Sequence, residues 1–244
     1  MTIGKYRHPF FFYSLSIGIP WVCWFVAGYI SHITPGNNFY FVTSSILGIL
    51  GLLSPMIIAF LMILPDHELR NDLLNRFISF KKIQPVYILI TCFLMLISIM
   101  LAQAISLLFG YSPNQFNLAN RFSFSVGLFP AWLILFIAPV MEELAWHTYG
   151  TDCLRKRFSL ISTSIMFAIF WAFWHFPLAF IKDYYQSNLV ETGWIYSLNF
   201  VVSLFPYVLL MNWLYYKTNR NILIAIVFHI TAGFFNEFHG YKFN

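Results

Sequence analysis

Residues 131–150 read AWLILFIAPVMEELAWHTYG, an apolar run in which Glu142, Glu143 and His147 are the only acidic, basic or imidazole side chains. At 1.5 Å per residue, a helix of this run is about 30 Å long, which matches the hydrocarbon core of a bilayer. A carboxylate at that depth costs at least about 2.5–3.5 kcal/mol on insertion scales, so it usually marks function or a specific partner. The stretch therefore predicts a membrane-spanning helix that keeps two glutamates for a reason.

Six further apolar runs have similar lengths. The composition agrees with them: 59% of the residues are apolar and 9% are charged, which excludes a water-soluble globule, a disordered chain and a disulfide scaffold. We therefore predict an all-α, polytopic transmembrane helical bundle of about seven spans in one domain, residues 1–244. An eighth, half-inserted segment within Arg121–Pro130, near Phe122, stays open. The predicted spans are Phe10–Ile30, Tyr40–Leu64, Val86–Phe109, Ala131–Gly150, Leu160–Phe180, Trp194–Tyr215 and Asn221–Phe238.

The basic residues are unevenly distributed between the connections. Because Lys and Arg accumulate on the cytoplasmic side, their distribution predicts a cytoplasmic N-terminus and an external C-terminus, with eleven of the 14 basic residues inside. The same interpretation explains the net charge of +5 without a nucleic-acid partner. The eleven residues are Lys5, Arg7, Arg70, Arg76, Lys81, Lys82, Arg155, Lys156, Arg157, Lys217 and Arg220.

The longest inner connection, residues 66–84, has a helical pattern of its own. Leu69, Leu73, Leu74 and Phe77 recur at helical spacing, and Arg76 is expected on another face with the remaining charges. The pattern predicts a short amphipathic helix on the cytoplasmic surface. A solvated loop is the alternative.

A few ionisable side chains fall inside predicted spans. His175 and His229 lie in the fifth and seventh spans. Glu143 and His147 are four residues apart and can touch along one helix face, whereas Glu142 lies about 100° away. This spacing predicts that one glutamate faces a reaction site while the other is held by His147 or by another helix. Glu237, near the end of the chain, is expected at the exposed interface.

These groups allow more than one kind of chemistry. A carboxylate and two imidazoles in a water-excluding site could activate water against an amide and stabilise the oxyanion. Glu142, His175 and His229 could instead hold zinc, although the HExxH signature of common zinc proteases is absent, and no cofactor is firmly predicted. A buried pair that only fixes helix packing is the structural alternative.

Three motifs resemble those of the CPBP family, the CAAX proteases and bacteriocin-processing proteins, also called Abi. The first motif, EExxxR, has Glu142 and Glu143 here, with His147 in place of the arginine. The second, FxxxH, has Trp171 in place of phenylalanine, followed by His175. The third, HxxxN or HxxxD, has His229 but Gly233 at its fourth following position, and the nearest amide is Asn236. The resemblance runs from about Pro139 to Asn236 within a catalytic core at residues 131–238.

The resemblance implies an intramembrane glutamic endopeptidase. In that family the glutamates are taken to activate water, and the histidines and an asparagine to assist it and bind the oxyanion. Carried over, Glu142, Glu143, His175 and His229 are the catalytic residues. His147, Trp171 and Asn236 are the supporting residues.

The expected partners are the lipid bilayer and a peptide or lipidated-protein substrate, and the small size favours a bacterial plasma membrane. Two other functions stay open. One is a non-catalytic protein of the same type that binds a peptide or partner, as an immunity protein does. The other is a proton-coupled transporter, for which the chain shows no inverted repeat.

Overall fold

The computed structural model describes residues 2–78, 83–119 and 121–239. Regular structure in these ranges is helical apart from an isolated bridge between Val126 and Phe129, so the predicted all-α bundle is confirmed. The helices are α1 (Pro9–Ser31), α2 (Asn38–Ile63), α3 (His67–Ile78), α4 (Pro85–Ser106), α5 (Ala131–Ala145), α6 (Thr151–Arg155), α7 (Leu160–His175), α8 (Tyr185–Thr192), α9 (Trp194–Lys217) and α10 (Ile222–His239).

Each predicted apolar run corresponds to a helix. Among the described residues, five stretches are long and apolar enough to cross a membrane. The fourth and seventh runs form the shorter helices α5 and α10, so the number of spans stays a prediction. The five stretches are Pro9–Ser31, Asn38–Ile63, Pro85–Phe109, Leu160–Phe180 and Trp194–Lys217.

The connections meet at two opposite ends of the bundle, as the alternation of spans requires. At one end, Arg76 of α3 contacts Asp152 of α6 and Tyr6 of the N-terminal segment. At the other end, the Lys182 amide donates to Ser31 Oγ at 3.1 Å, and the amide of residue 119 donates to the carbonyl of residue 238 at 3.0 Å. These contacts agree with the predicted grouping of connections, whereas the side of the membrane that each end faces stays a prediction.

Large apolar side chains cover the outside of the bundle, as a lipid-facing surface requires. Phe10 is 85% exposed and Phe109 is 77% exposed. Inside, the indoles of Trp24, Trp146 and Trp174 are buried and pack edge-to-face. The Trp24 indole N–H donates to the Gly48 carbonyl of α2 at 2.9 Å, so aromatic packing joins α1, α2 and α7 around the polar interior.

The amphipathic helix in the longest inner connection is confirmed as α3, and the loop alternative is wrong. Leu69 and Leu73 are buried, whereas Leu74 is 56% exposed. The expectation that Arg76 lies on another face is also wrong, because it follows Leu69 by seven positions and Leu73 by three, and so shares their face. It is 3% exposed. Lys81 and Lys82 lie outside the described residues.

The contacts of the segment before α5 differ from the prediction. Residues 121–130 form no helix, and the half-inserted segment near Phe122 stays a prediction. Glu237 is 9% exposed rather than interfacial, because its carboxylate accepts hydrogen bonds from the amide and hydroxyl of Ser123. Glu237 therefore fastens the segment to α10. The short helix α8 was not predicted.

Candidate active site

The helix that carries the paired glutamates does not end at Gly150. It continues from α5 through a π-helical turn, Trp146–Gly150, into α6 and ends at Arg155. Glu142 therefore lies about 20 Å from that end, and His175 lies about 22 Å from the start of α7, at 1.5 Å per residue. If the helix ended at Gly150, the glutamates would lie only about half as far from its end. They would then be too far along the bundle from His175 to share a site with it.

Glu142 faces a cavity of about 440 Å³. Its Oε2 accepts a hydrogen bond from the Trp171 indole N–H at 2.9 Å, and the side chain is 6% exposed. His175 and His229 line the same cavity. The three ionisable groups that the sequence predicts for the reaction thus border one space.

Glu143 is held behind Glu142 and is fully buried. One carboxylate oxygen bonds to His229 Nδ1 at 2.8 Å, and the other bonds to His147 Nδ1. The predicted contact between residues four apart on this helix is confirmed. The two glutamates therefore differ in position: one borders the cavity, and the other joins the histidines of two helices.

A second hydrogen-bonded chain fixes the far side of His147. Its Nε2 contacts Asn212 Oδ1 at 2.9 Å, and Asn212 Nδ2 donates to Ser164 Oγ at 2.9 Å. Because Ser164 donates its own proton to the Leu160 carbonyl, it accepts from Asn212, so the amide oxygen faces His147 and Nε2 carries a hydrogen.

The π-helical turn is held by side chains from other helices. Arg76 Nη1 and Nη2 donate to the carbonyls of His147 and Thr148, each at 2.9 Å. The Tyr215 hydroxyl donates to the same His147 carbonyl at 2.8 Å. π-Helical turns are often found at functional sites, and this one sets the backbone of a residue that contacts Glu143.

Four charged side chains surround this turn. Arg76 Nη1 and Arg220 Nε both bind Asp152, at 3.0 and 3.1 Å to Oδ2. Arg220 also forms a forked pair with Asp72, at 3.0 and 2.9 Å. Burial raises the pKa of Asp72, but the two guanidinium groups outweigh burial and hold this pKa below its ordinary value.

The orientation of His175 follows from a main-chain contact. Its Nδ1 lies 2.7 Å from the Trp171 carbonyl, which can only accept, so Nδ1 carries the hydrogen and Nε2 of the neutral ring is a free acceptor. The rings of Trp171 and His175 are 5.4 Å apart, as expected for residues that share a helix face. α7 ends at His175, where Pro177 enters a 3₁₀ turn.

The amide that the sequence favours as a supporting group, Asn236, lines the same cavity as Glu142. Its side chain is exposed and donates to the Tyr185 hydroxyl at 3.4 Å, so this hydrogen bond does not go to a predicted catalytic residue. Sequence reasoning missed Asn212 and Arg76. A buried asparagine in an apolar helix was the available signal for Asn212, because such an amide needs a partner.

The set proposed for zinc was Glu142, His175 and His229. Within the residues that the structure describes, no group of three or more His, Cys, Asp or Glu side chains is arranged to hold a metal ion. The Trp171 indole occupies one oxygen of Glu142. These three side chains therefore do not fit a zinc site.

The comparisons with known proteins agree on one family. A family model described as type II CAAX prenyl endopeptidase Rce1-like matches residues 124–235, which contain all four predicted catalytic residues. CAAX prenyl protease 2 of Methanococcus maripaludis is 34% identical over 227 residues, which cover 92% of this chain and 82% of that relative. With this identity across most of both chains, the protein belongs to the CPBP family, among the Rce1-like type II CAAX prenyl endopeptidases.

Proposed function

We propose that this protein is an intramembrane endopeptidase that cleaves a peptide bond of a lipidated, membrane-anchored protein with water activated by Glu142. One observation carries the proposal: Glu142 borders the cavity together with His175 and His229, while Glu143 is buried behind it between two histidines. Family membership supports the same class of reaction.

Glu142 is the general base in this mechanism. The Trp171 indole holds Oε2, which leaves Oε1 to accept a proton from water. The free Nε2 of His175 is the second acceptor that orients the same water. As the water attacks, its oxygen bonds to the carbonyl carbon of the substrate, and its proton moves to Glu142. When the C–N bond breaks, Glu142 returns this proton to the leaving nitrogen.

Glu143 acts through His229. Its carboxylate holds His229 Nδ1 at 2.8 Å, which fixes the orientation of the ring. When both ring nitrogens carry a hydrogen, His229 Nε2 can donate to oxygen as negative charge develops there. His147 and Asn212 hold the other side of Glu143, so these residues position the site rather than touch the substrate.

The cavity wall supports a lipidated substrate. Leu52, Met95, Ile99 and Leu135 supply apolar surface from α2, α4 and α5, next to the polar groups around Glu142. The relative and the family model are both named for a CAAX prenyl substrate. We therefore propose a prenylated C-terminal segment as substrate, with its lipid along the apolar wall and its scissile bond at Glu142.

The proposed location is the bacterial plasma membrane, with the N-terminus in the cytoplasm. This orientation rests on the uneven distribution of the basic residues. A cytoplasmic entrance would admit the C-terminus of a protein synthesised on that side.

Cleavage of a synthetic peptide tests the proposal. A fluorogenic peptide that ends in a prenylated CAAX sequence is incubated with purified protein in lipid nanodiscs, alongside the same peptide without its prenyl group. We expect cleavage of the prenylated peptide, and loss of cleavage in Glu142→Gln with unchanged thermal unfolding. Glu191→Gln, at an exposed carboxylate, is the matched control.

The results separate the candidate functions. Binding of the prenylated peptide without cleavage by the wild type would support the non-catalytic alternative. Full activity of Glu142→Gln would contradict the glutamate mechanism. Proton flux in proteoliposomes without cleavage would indicate the transporter.

A further inference from the structure

Three of the hydrogen-bond donors around Glu142 are already used within the protein. The Trp171 indole N–H binds Glu142, His175 Nδ1 binds a carbonyl, and His229 Nδ1 binds Glu143. Only His229 Nε2 is left from this set to stabilise an oxyanion. Sites for acyl transfer commonly provide more than one donor to the developing negative charge.

Tyr207 of α9 has a hydroxyl that is not used in this way. The residue lines the cavity, and its hydroxyl is buried with no hydrogen-bond partner among the described residues. The phenol ring is 5.8 Å from the Trp171 ring and 5.9 Å from the His229 ring. It also stacks on Phe228 at 5.4 Å, so three aromatic neighbours fix its position.

A buried hydroxyl without a partner is unfavourable, because it has lost its hydrogen bonds to water and gained none within the protein. Such groups in native proteins need an explanation, and a ligand atom that completes the hydrogen bond is one. The neighbours of Tyr207 are the indole that binds the proposed base and the imidazole that binds Glu143. The missing acceptor would therefore belong to the group that reacts at Glu142.

We propose that Tyr207 is a catalytic residue whose O–H donates a hydrogen bond to the oxyanion formed during peptide-bond hydrolysis. This inference rests on the proposed function. As water adds to the carbonyl carbon and gives its proton to Glu142, the C=O π electron pair moves onto oxygen. Tyr207 and His229 donate to that oxygen, and no proton leaves the phenol. When the C–N bond breaks, the electron pair re-forms C=O and the Tyr207 hydrogen bond weakens.

Trp174 offers a rival donor. Its indole nitrogen is also buried without a partner among the described residues, and it lines the same cavity. Its ring, however, packs against Trp24 at 4.6 Å and Trp146 at 5.4 Å, in the aromatic core that joins α1 to the π-helical turn. Tyr207 contacts both Trp171 and His229, so its position favours it over Trp174.

Gly233 provides a way to restore a donor by design. It lies one turn after His229 on the same face of α10 and lines the cavity without a side chain. A Cβ built there meets only Leu135 Cδ1, at 3.4 Å, an ordinary contact. An asparagine at 233 can therefore place an amide N–H beside His229 with little strain.

The test compares Tyr207→Phe with Tyr185→Phe. Tyr185 lines the same cavity, but its hydroxyl already has a partner, Asn236. We expect Tyr207→Phe to lower kcat about 100-fold or more, with KM within about threefold and no loss of thermal stability, since the lost hydroxyl had no partner. Tyr185→Phe should keep kcat within about threefold. Adding Gly233→Asn to Tyr207→Phe should recover at least about tenfold of the lost rate.

Binding of a peptide phosphinate gives a readout that does not depend on turnover. Its charged oxygen mimics the oxyanion, so Tyr207→Phe should weaken its binding at least about tenfold and leave binding of the matching uncleaved amide unchanged. Equal losses for both ligands, or no loss for the phosphinate, would overturn the role of Tyr207. If the wild type bound the phosphinate but cleaved no peptide, the proposed function would be wrong. The comparison of phosphinate binding with amide binding would still decide whether Tyr207 donates to the charged oxygen.

Discussion

Arg76 Nη1 lies 2.9 Å from the main-chain oxygen of His147, although 71 positions separate the two residues. The guanidinium comes from the amphipathic helix α3, and the carbonyl belongs to the π-helical turn just beyond the paired glutamates. His147 in turn contacts Glu143 through its ring. One arginine outside the predicted spans therefore connects α3 to the backbone that positions the candidate active site.

Replacing Arg76 should damage both the fold and the site. Arg76→Ala removes a buried cationic donor from Asp152, from Asp72 and from the two carbonyls of the turn, and removing one partner of a buried pair costs about 3–5 kcal/mol. We expect a clear fall in the thermal unfolding temperature in detergent and a loss of peptide cleavage.

Arg70→Ala is the matched control for this substitution. Arg70 is on the same helix but exposed, and it donates to the Leu64 carbonyl at 3.0 Å. Its loss should change stability by less than about 0.5 kcal/mol. Equal effects of both substitutions would mean that the contact with the π-helical turn contributes nothing.

Asp72 should make stability depend on pH on the acid side. Its folded-state pKa is lowered because Arg76 and Arg220 outweigh burial. A lowered carboxyl pKa stabilises the fold above the unfolded value of about 3.9, and this contribution is lost as pH falls through the folded pKa. The wild type should therefore exceed Asp72→Asn in unfolding temperature at pH 7, and the difference should shrink below about pH 4.

An exposed carboxylate provides the comparison for Asp72. Glu191→Gln should follow the wild-type unfolding temperature throughout the range from pH 7 to pH 3. A difference between wild type and Asp72→Asn that stays constant down to pH 3 would contradict the role given to the carboxylate charge.

Most helices could be predicted because hydropathy and helix length follow from local sequence. The exceptions depend on contacts distant in the chain. Arg76 reads as a cytoplasmic topology signal, but its partners outside α3 come from the N-terminal segment, the π-helical turn, α6 and α9. Glu237 reads as interfacial because its acceptor role depends on Ser123, 114 positions away.

The site was predictable where residues share one helix and less so where helices meet. The pairs Glu143 with His147 and Trp171 with His175 follow from four-residue spacing. The sequence predicts different positions for Glu142 and Glu143, but it does not say which of them borders the cavity. That depends on the rotation of α5 about its axis relative to α7 and α10. Asn212 was missed because its partner His147 lies 65 positions earlier.

Asn212 should matter more than the amide favoured by the sequence. Asn212→Leu removes the acceptor for His147 Nε2–H in a fully buried position, and a buried donor without a partner costs about 1–3 kcal/mol. We expect lower stability together with slower cleavage, because His147 then no longer holds Glu143 in one position. Both are measured in nanodiscs, as thermal unfolding and initial rate.

Asn236→Leu is the comparison for Asn212→Leu. Its amide is exposed and has a long contact to Tyr185, so the activity of Asn236→Leu should stay within about threefold of the wild type. This is well under a tenfold loss of rate, which corresponds to about 1.4 kcal/mol. A larger loss of activity in Asn236→Leu than in Asn212→Leu would return the supporting role to Asn236.

The predicted topology can be measured with reporter fusions. The contacts of Lys182 with Ser31 and of residue 119 with residue 238 place four connections or chain ends at one end of the bundle, and basic residues concentrate at the opposite end. Reporters inserted at Asn37, near Pro113 and after Asn244 should therefore all report the outside. A reporter at Lys156 should report the cytoplasm as the matched control. A cytoplasmic signal after Asn244 combined with an external one at Asn37 would mean that the number of spans is not seven, and reversal of all four signals would mean that the basic end faces outward.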